Sequence, residues 1–511
     1  MKLRRILSLA TALLLVTSLP LAVFADTWDL AQGNITVTAN ESGQTVTQGT
    51  TSQMDNDPTI TGGNGSQSIT VSATGDNQAN LTIEDVNAKA IEVGASNATI
   101  TVSGENNKVS NDSGAGIHVS SGDLTITGDG TLEANGNSSS AAIGSNYKED
   151  MSGSITIGGS ATVTGISKDY GAGIGTGGGG ELSGSIAIQD QAQVTGKVSG
   201  KGTSGAGIGT GGGGELSGSI TIGGDAKVTG DGIGSGSNIG AGIGTGCNGN
   251  LSGSITIKDN AIVEGTGSFG AGIGAGCNYD NDITTAVTDK GSITIEDNAK
   301  VIGTSSGGGA GIGSGQYCEM SGTITIGGTT DVTATATGNF ASGAGIGSGA
   351  GDGTKMSGTI SISTKATVDA SSTGSSNSGD AIGAGAFGAN SGTIRYFDPD
   401  AVPTQPEPNG TAVYQVVNED GVSMGYTSAV KEGVLTITVK GDYARLTGSV
   451  ASLATLASWG YSAITLVTDN ATSSFALADL QAKGPGTYAL THSGQEVTLT
   501  LNGEALAGIL K

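Results

Sequence analysis

Few side chains in this sequence can do chemistry, and those that can recur at fixed places. Tyr170 and Phe269 stand four residues before the isoleucine of a Gly-Ala-Gly-Ile-Gly-type phrase, and Phe340 six before. Tyr147, Tyr279, Tyr317 and Phe387 follow theirs by four to six. Aromatic faces stack on the apolar faces of sugar rings, so a row of them along one edge suits an extended polysaccharide. Tyr147, Tyr170, Phe269, Tyr279 and Tyr317 are the candidate carbohydrate-binding residues. The competing reading, that each ring covers a local patch, stays open for all of them and is preferred for Phe340 and Phe387.

Acidic side chains recur as well. Asp190, Asp259 and Asp297 each lie two residues after the last isoleucine of an Ile-x-Ile phrase, and Asn260 and Asn298 follow two of them. Stacked repeats would bring such oxygens within range of a calcium ion. Asp and Asn are also the usual residues of tight turns, and that reading is preferred. Acid–base chemistry has little to work with. Between residues 26 and 390 there is no Arg, and His118 is the only His. A polysaccharide lyase needs a basic proton abstractor, and a glycosidase needs two carboxylates at a set separation; neither pattern stands out. No catalytic residue is assigned, and His118 is expected to be a surface residue.

These side chains need a scaffold, and the repeat supplies it. The phrase isoleucines are Ile143, Ile174, Ile208, Ile243, Ile273, Ile312, Ile346 and Ile382. A second phrase, (Met/Leu)-Ser-Gly-(Ser/Thr)-Ile-x-Ile, follows, with its first Ile at 155, 186, 220, 255, 293, 324 and 360. Six residues after its second Ile comes a Val, at 163, 194, 228, 263, 301, 332 and 368. Ser-Ile-Thr-Ile alternates polar and apolar, as a strand with one buried face does. One such unit cannot repay the ordering of its backbone, whereas stacked units bury each other's aliphatics. The expected fold is a mainly β parallel β-helix, about 30–36 residues per coil, over 66–396, with residues 26–65 as a cap carrying the first strands. A proline-rich linker at 397–410 leads to a small α+β domain at 411–511. A phosphate-cradling role for the glycines is excluded, because no helical pattern follows and the P-loop lysine is missing.

Composition narrows the partners. Of 511 residues, 94 are Gly, 4% are aromatic and the formal net charge is −24. Residues 1–25 carry a basic start, an apolar run and an Ala-ended cleavage site, and are expected to be a signal peptide. Its three positive charges removed from −24 leave −27. Such a chain is not steered to nucleic acid, and a neutral or cationic hydroxyl-rich partner fits better. No second apolar span follows, so no transmembrane segment is expected, and retention at a surface would be non-covalent. Cys247 and Cys277 share one repeat offset and are either a disulfide or free thiols; Cys318 is the third cysteine.

Residues 114–136 and the Gly-Ala-Gly-Ile-Gly array resemble exported, glycine-rich right-handed parallel β-helix surface proteins of Gram-positive bacteria, related in fold to pectate lyases. The resemblance covers roughly 66–396 and implies binding of an extracellular polysaccharide or a host or bacterial surface glycan, with calcium as its candidate cofactor. Two other classes remain: a structural or adhesive spacer, and an ice-binding face built on Ser154/Thr156, Ser219/Thr221, Ser254/Thr256, Ser292/Thr294 and Thr323/Thr325.

Overall fold

Alternation of small aliphatics and hydroxyls at a constant gap produces strands that stack on their own copies. The computed structural model describes residues 26–200, 205–233, 240–278, 288–397 and 414–510, the last range without 420, 422, 423, 425 and 432. The expected signal peptide and all but the first residue of the expected linker lie outside the described residues. The chain divides into two compact units, Met1–Phe397 and Asp398–Lys511.

The first unit is mainly β and solenoid-like, built on three long sheets of 13, 14 and 10 strands. Each repeat visits the sheets in turn, and almost all pairing is parallel. In the 13-stranded sheet Ile155, Ile186, Ile220, Ile255, Ile293, Ile324 and Ile360 pair in register. In the 10-stranded sheet the column runs from Val163 to Val368 through the valines of the fixed gap. The phrase isoleucines, Ile143 to Ile382, form the third column in the 14-stranded sheet. Ser-Ile-Thr-Ile strands bury both isoleucines and turn the hydroxyls outward. Each buried isoleucine contributes roughly 1.5–3 kcal/mol, and the columns form one continuous core. The outward hydroxyl ranks are broken by Ala187 and Arg395.

The glycine after each phrase isoleucine is set by close approach. Gly175 has φ +133°, and a Cβ there would run into the Gly209 carbonyl oxygen of the next coil. A further ladder runs Met151–Leu182–Leu216–Leu251 and, beyond it, Asp289–Met320–Met356. Residues 26–65 supply the first strands of two long sheets: Thr27–Asp29 pairs parallel with Thr59–Thr61, and Ile35–Asn40 with Ser68–Ala73. They also carry an antiparallel turn-back through Gly43–Gln48 and Thr51–Met54. Cys247 and Cys277 are joined by a disulfide, and Cys318 is free and buried.

The second unit has a five-stranded and a four-stranded sheet, helices Ser452–Ser458 and Leu477–Gln481, and its own core around Leu446, Ile464, Phe475 and Tyr488. Among the described residues no helix is long and apolar enough to cross a membrane.

Candidate functional site

In six of the eight repeats the turn that follows the phrase isoleucine places its fifth residue in the left-handed region, Asn278 and Gly351 being the two departures. Successive repeats fill it with Lys148 (φ 59°), Gly179 (74°), Gly213 (74°), Asn248 (61°), Tyr317 (60°) and Phe387 (63°). Gly and Asn are the residues that tolerate this conformation, whereas a bulky side chain there is strained. Three repeats nevertheless put a long side chain there, Lys148, Tyr317 and Phe387, and the two aromatic ones lie in neighbouring parts of the array. Gly351, at the same place in the repeat between them, leaves room for a ring: a Cβ on it would come within 2.6 Å of Tyr317 Cδ1.

The loop on the other side of the strand meets this turn from the next coil. Gln316 N–H donates to the Phe269 carbonyl at 2.7 Å, and Ala350 N–H to that of Gly308 at 2.7 Å. Aromatics before and after the phrase therefore share one edge. There Phe269, Tyr317, Phe340 and Phe387 line a cleft of about 390 Å³, together with Gln316, Asn339 and Asp352. Phe340 and Phe387 stack with centroids 6.1 Å apart and planes at 23°, yet remain 63% and 49% exposed. An open apolar wall carrying amides, one carboxylate and no cation suits a neutral or cationic hydroxyl-rich ring polymer. Phe340 and Phe387, read from sequence as local covers, belong to the same cleft as Phe269 and Tyr317.

Tyr147 and Tyr170 form a second patch further along the edge. They flank Gly178, are 53% and 51% exposed, and Lys148 Nζ lies 5.2 Å from the Tyr147 ring centroid. Tyr279 lies outside the described residues.

The acidic turn uses its carboxylates to join neighbouring coils. Asp190, Asp259 and Asp297 have φ of 59°, 59° and 62° and stand one to a coil. Their carboxylates accept backbone N–H groups of the preceding coil: Gly159 and Gly224 at 2.9 Å, and Asp259 at 3.1 Å. The neighbouring side chains form their own ladder, Asn298 Nδ2 donating to Asn260 Oδ1 and Asn260 Nδ2 to Asp225 Oδ1. Among the described residues no three His, Cys, Asp or Glu side chains are grouped to hold a metal. The oxygens fasten turns.

His118 is not a plain surface residue. Its side chain is 15% exposed and held between carboxylates of neighbouring coils, Nδ1 3.0 Å from Glu92 Oε2 and Nε2 2.7 Å from Glu149 Oε2. The Glu92 hydrogen bond and the two negative charges outweigh burial and raise its pKa above the ordinary 6.5. With both ring nitrogens engaged, neither is free to take a proton from a substrate.

Sequence reasoning passed over two further groups. In the second unit His492 is buried, with Nε2 2.7 Å from Ser473 Oγ and Nδ1 3.1 Å from Thr468 Oγ1. A serine beside a histidine can be a nucleophile and its base, but here all three are buried and the third partner is a hydroxyl instead of a carboxylate. In the first unit Asp289 stands in the Leu/Met ladder, 4% exposed, and among the described residues neither carboxylate oxygen is hydrogen-bonded. Burial raises its pKa well above 3.8 and raises that of the nearby Cys318 thiol. The sequence signal was present: Asp occupies the place that Leu251 and Met320 hold in adjacent repeats.

Compared with known protein families, curated proteins and solved structures, the chain matches none.

Proposed function

We propose that this chain is an exported, non-catalytic polysaccharide-binding protein that uses the aromatic cleft of Phe269, Tyr317, Phe340 and Phe387. In this reading the first unit is a parallel β-helix of the exported Gram-positive surface type, followed by a small α+β domain. The N-terminal signal-like segment supports export, with retention at the surface through non-covalent contacts. The observation that carries the reading is the placement of two aromatic rings, Tyr317 and Phe387, at a left-handed turn where other repeats use Gly, Asn or, once, Lys148. Strained backbone of this kind costs of order 1–3 kcal/mol per residue and persists where the side chain serves something other than stability. The exposure of the stacked pair Phe340 and Phe387 supports the same conclusion, since about half of each faces solvent instead of core.

The cleft carries one carboxyl side chain, Asp352, and no Lys or Arg, and the chain is strongly acidic. Both favour a neutral or amino-bearing polymer over a polyuronate. The test is a pull-down of the mature chain with insoluble neutral, amino and uronic polysaccharides, repeated with Phe340→Ala/Phe387→Ala. Retention by a neutral or amino polymer that the double variant loses supports the reading. Equal retention of both proteins removes the cleft from it, and release of reducing or unsaturated sugars would contradict the non-catalytic part.

A further inference from the structure

We infer that the Tyr147/Tyr170 patch is a second platform for the same ligand, so that one polysaccharide chain lies along the edge of the stack across both aromatic sites. This rests on the polysaccharide-binding reading of the cleft and adds to it the direction and minimum length of the ligand.

The two patches occupy equivalent places in the repeat. Tyr170 and Phe269 both stand four residues before a phrase isoleucine, and their carbonyls accept N–H groups from the corresponding turn of the next coil, Gly212 at 2.8 Å and Gln316 at 2.7 Å. Register therefore puts them on one edge. The isoleucine column from Ile174 to Ile273 has three steps, which at about 4.8 Å per coil separates Tyr170 from Phe269 by roughly 14 Å along the axis. From Tyr147 to Phe387 the column has seven steps, or roughly 34 Å.

Between the patches the exposed fifth position carries Gly213 and Asn248, so no bulky side chain at that position interrupts the line. A ring stacked on the Tyr pair and a ring stacked on the Phe pair can belong to one extended chain running parallel to the axis. The ligand charge is common to both ends: among the described residues the cleft is lined by no Lys or Arg, and Lys148 lies against the Tyr147 ring. A single oligosaccharide that reaches both platforms converts the second contact into an intramolecular one, with a gain of 10²–10⁴ when geometry permits.

The experiment is calorimetric titration of the mature chain with cellotriose and cellooctaose, a short and a long neutral probe, comparing wild type with Tyr147→Ala/Tyr170→Ala. Both tyrosines are half exposed, and an unchanged unfolding midpoint checks that the variant folds. The expected result is cellooctaose binding at least tenfold tighter than cellotriose in wild type. The double variant should lose that length advantage while keeping its cellotriose affinity. Equal affinity for both probes, or a length advantage that survives in the double variant, overturns the two-platform inference while the cleft reading stands. Chitosan oligomers of the same lengths are titrated in parallel as the amino probes, and the same length advantage, lost in the double variant, is required of whichever pair binds. Absence of binding to every neutral and amino probe overturns both readings.

Discussion

Replacing Phe387 by Gly should cost almost no stability and most of the glycan affinity. Phe387 is 49% exposed, so its burial contributes about half of the 1.5–3 kcal/mol of a fully buried Phe, near 1 kcal/mol. Its stack on Phe340 adds about 0.5–1.5 kcal/mol. Against these losses, Gly at φ 63° removes roughly 1–2 kcal/mol of left-handed strain. The net change falls within about 1 kcal/mol of zero, whereas a Phe placed for packing costs about 3–5 kcal/mol on truncation. A ring at the centre of a binding patch is worth about 2 kcal/mol, close to thirtyfold in affinity. Stacked repeats open locally, so stability is best read from amide exchange over residues 359–397 alongside urea unfolding. Unchanged exchange with binding weakened about thirtyfold is the expected pair of results. Exchange faster by the equivalent of 3 kcal/mol or more, with binding intact, would refute the argument that strain at this turn marks function.

Asp289→Leu restores the aliphatic ladder and should stabilise the first unit by about 2–4 kcal/mol, because an unpaired buried carboxyl is replaced by buried hydrocarbon. The sign of its pH dependence follows from the raised folded pKa. Titration of Asp289 adds no cost below its unfolded value near 3.8, and stability falls as pH rises from there toward the folded value; urea midpoints against pH should be flatter in the variant. His118, also raised, stabilises its coils fully below pH about 6.5 and loses that contribution as pH climbs through its higher folded value. Amide exchange of residues 90–119 should quicken over that range in wild type and lose the pH step in His118→Gln. Reducing Cys247–Cys277 opens a 30-residue loop, and the chain-entropy estimate puts the loss at about 3–4 kcal/mol, visible as a lower thermal midpoint in reductant.

The scaffold was legible because its spacing never changes. Six residues separate Ile157 from Val163 and Ile222 from Val228 alike, and a constant gap between buried residues can only mean a constant corner. The cleft was half legible. Phe269 and Tyr317 were singled out by their offset from the phrase, whereas Phe340 and Phe387 were read as local covers, although Phe387 shares the five-residue offset of Tyr317. Only stacking in register brings those rings within 6.1 Å. Asp190, Asp259 and Asp297 were read first as turn residues, with calcium as the second reading, and their carboxylates accept the neighbouring coil's N–H as a turn residue does. His118 was misjudged because Glu92 and Glu149 reach it across coils, through side chains that no linear spacing announces.

The most direct test of the account is titration of the mature chain with a soluble neutral polysaccharide, wild type against Phe340→Ala/Phe387→Ala. The account predicts saturable binding by wild type and at least a tenfold weaker constant in the double variant, with the unfolding midpoint of the first unit nearly unchanged. Identical binding curves for the two proteins would contradict it.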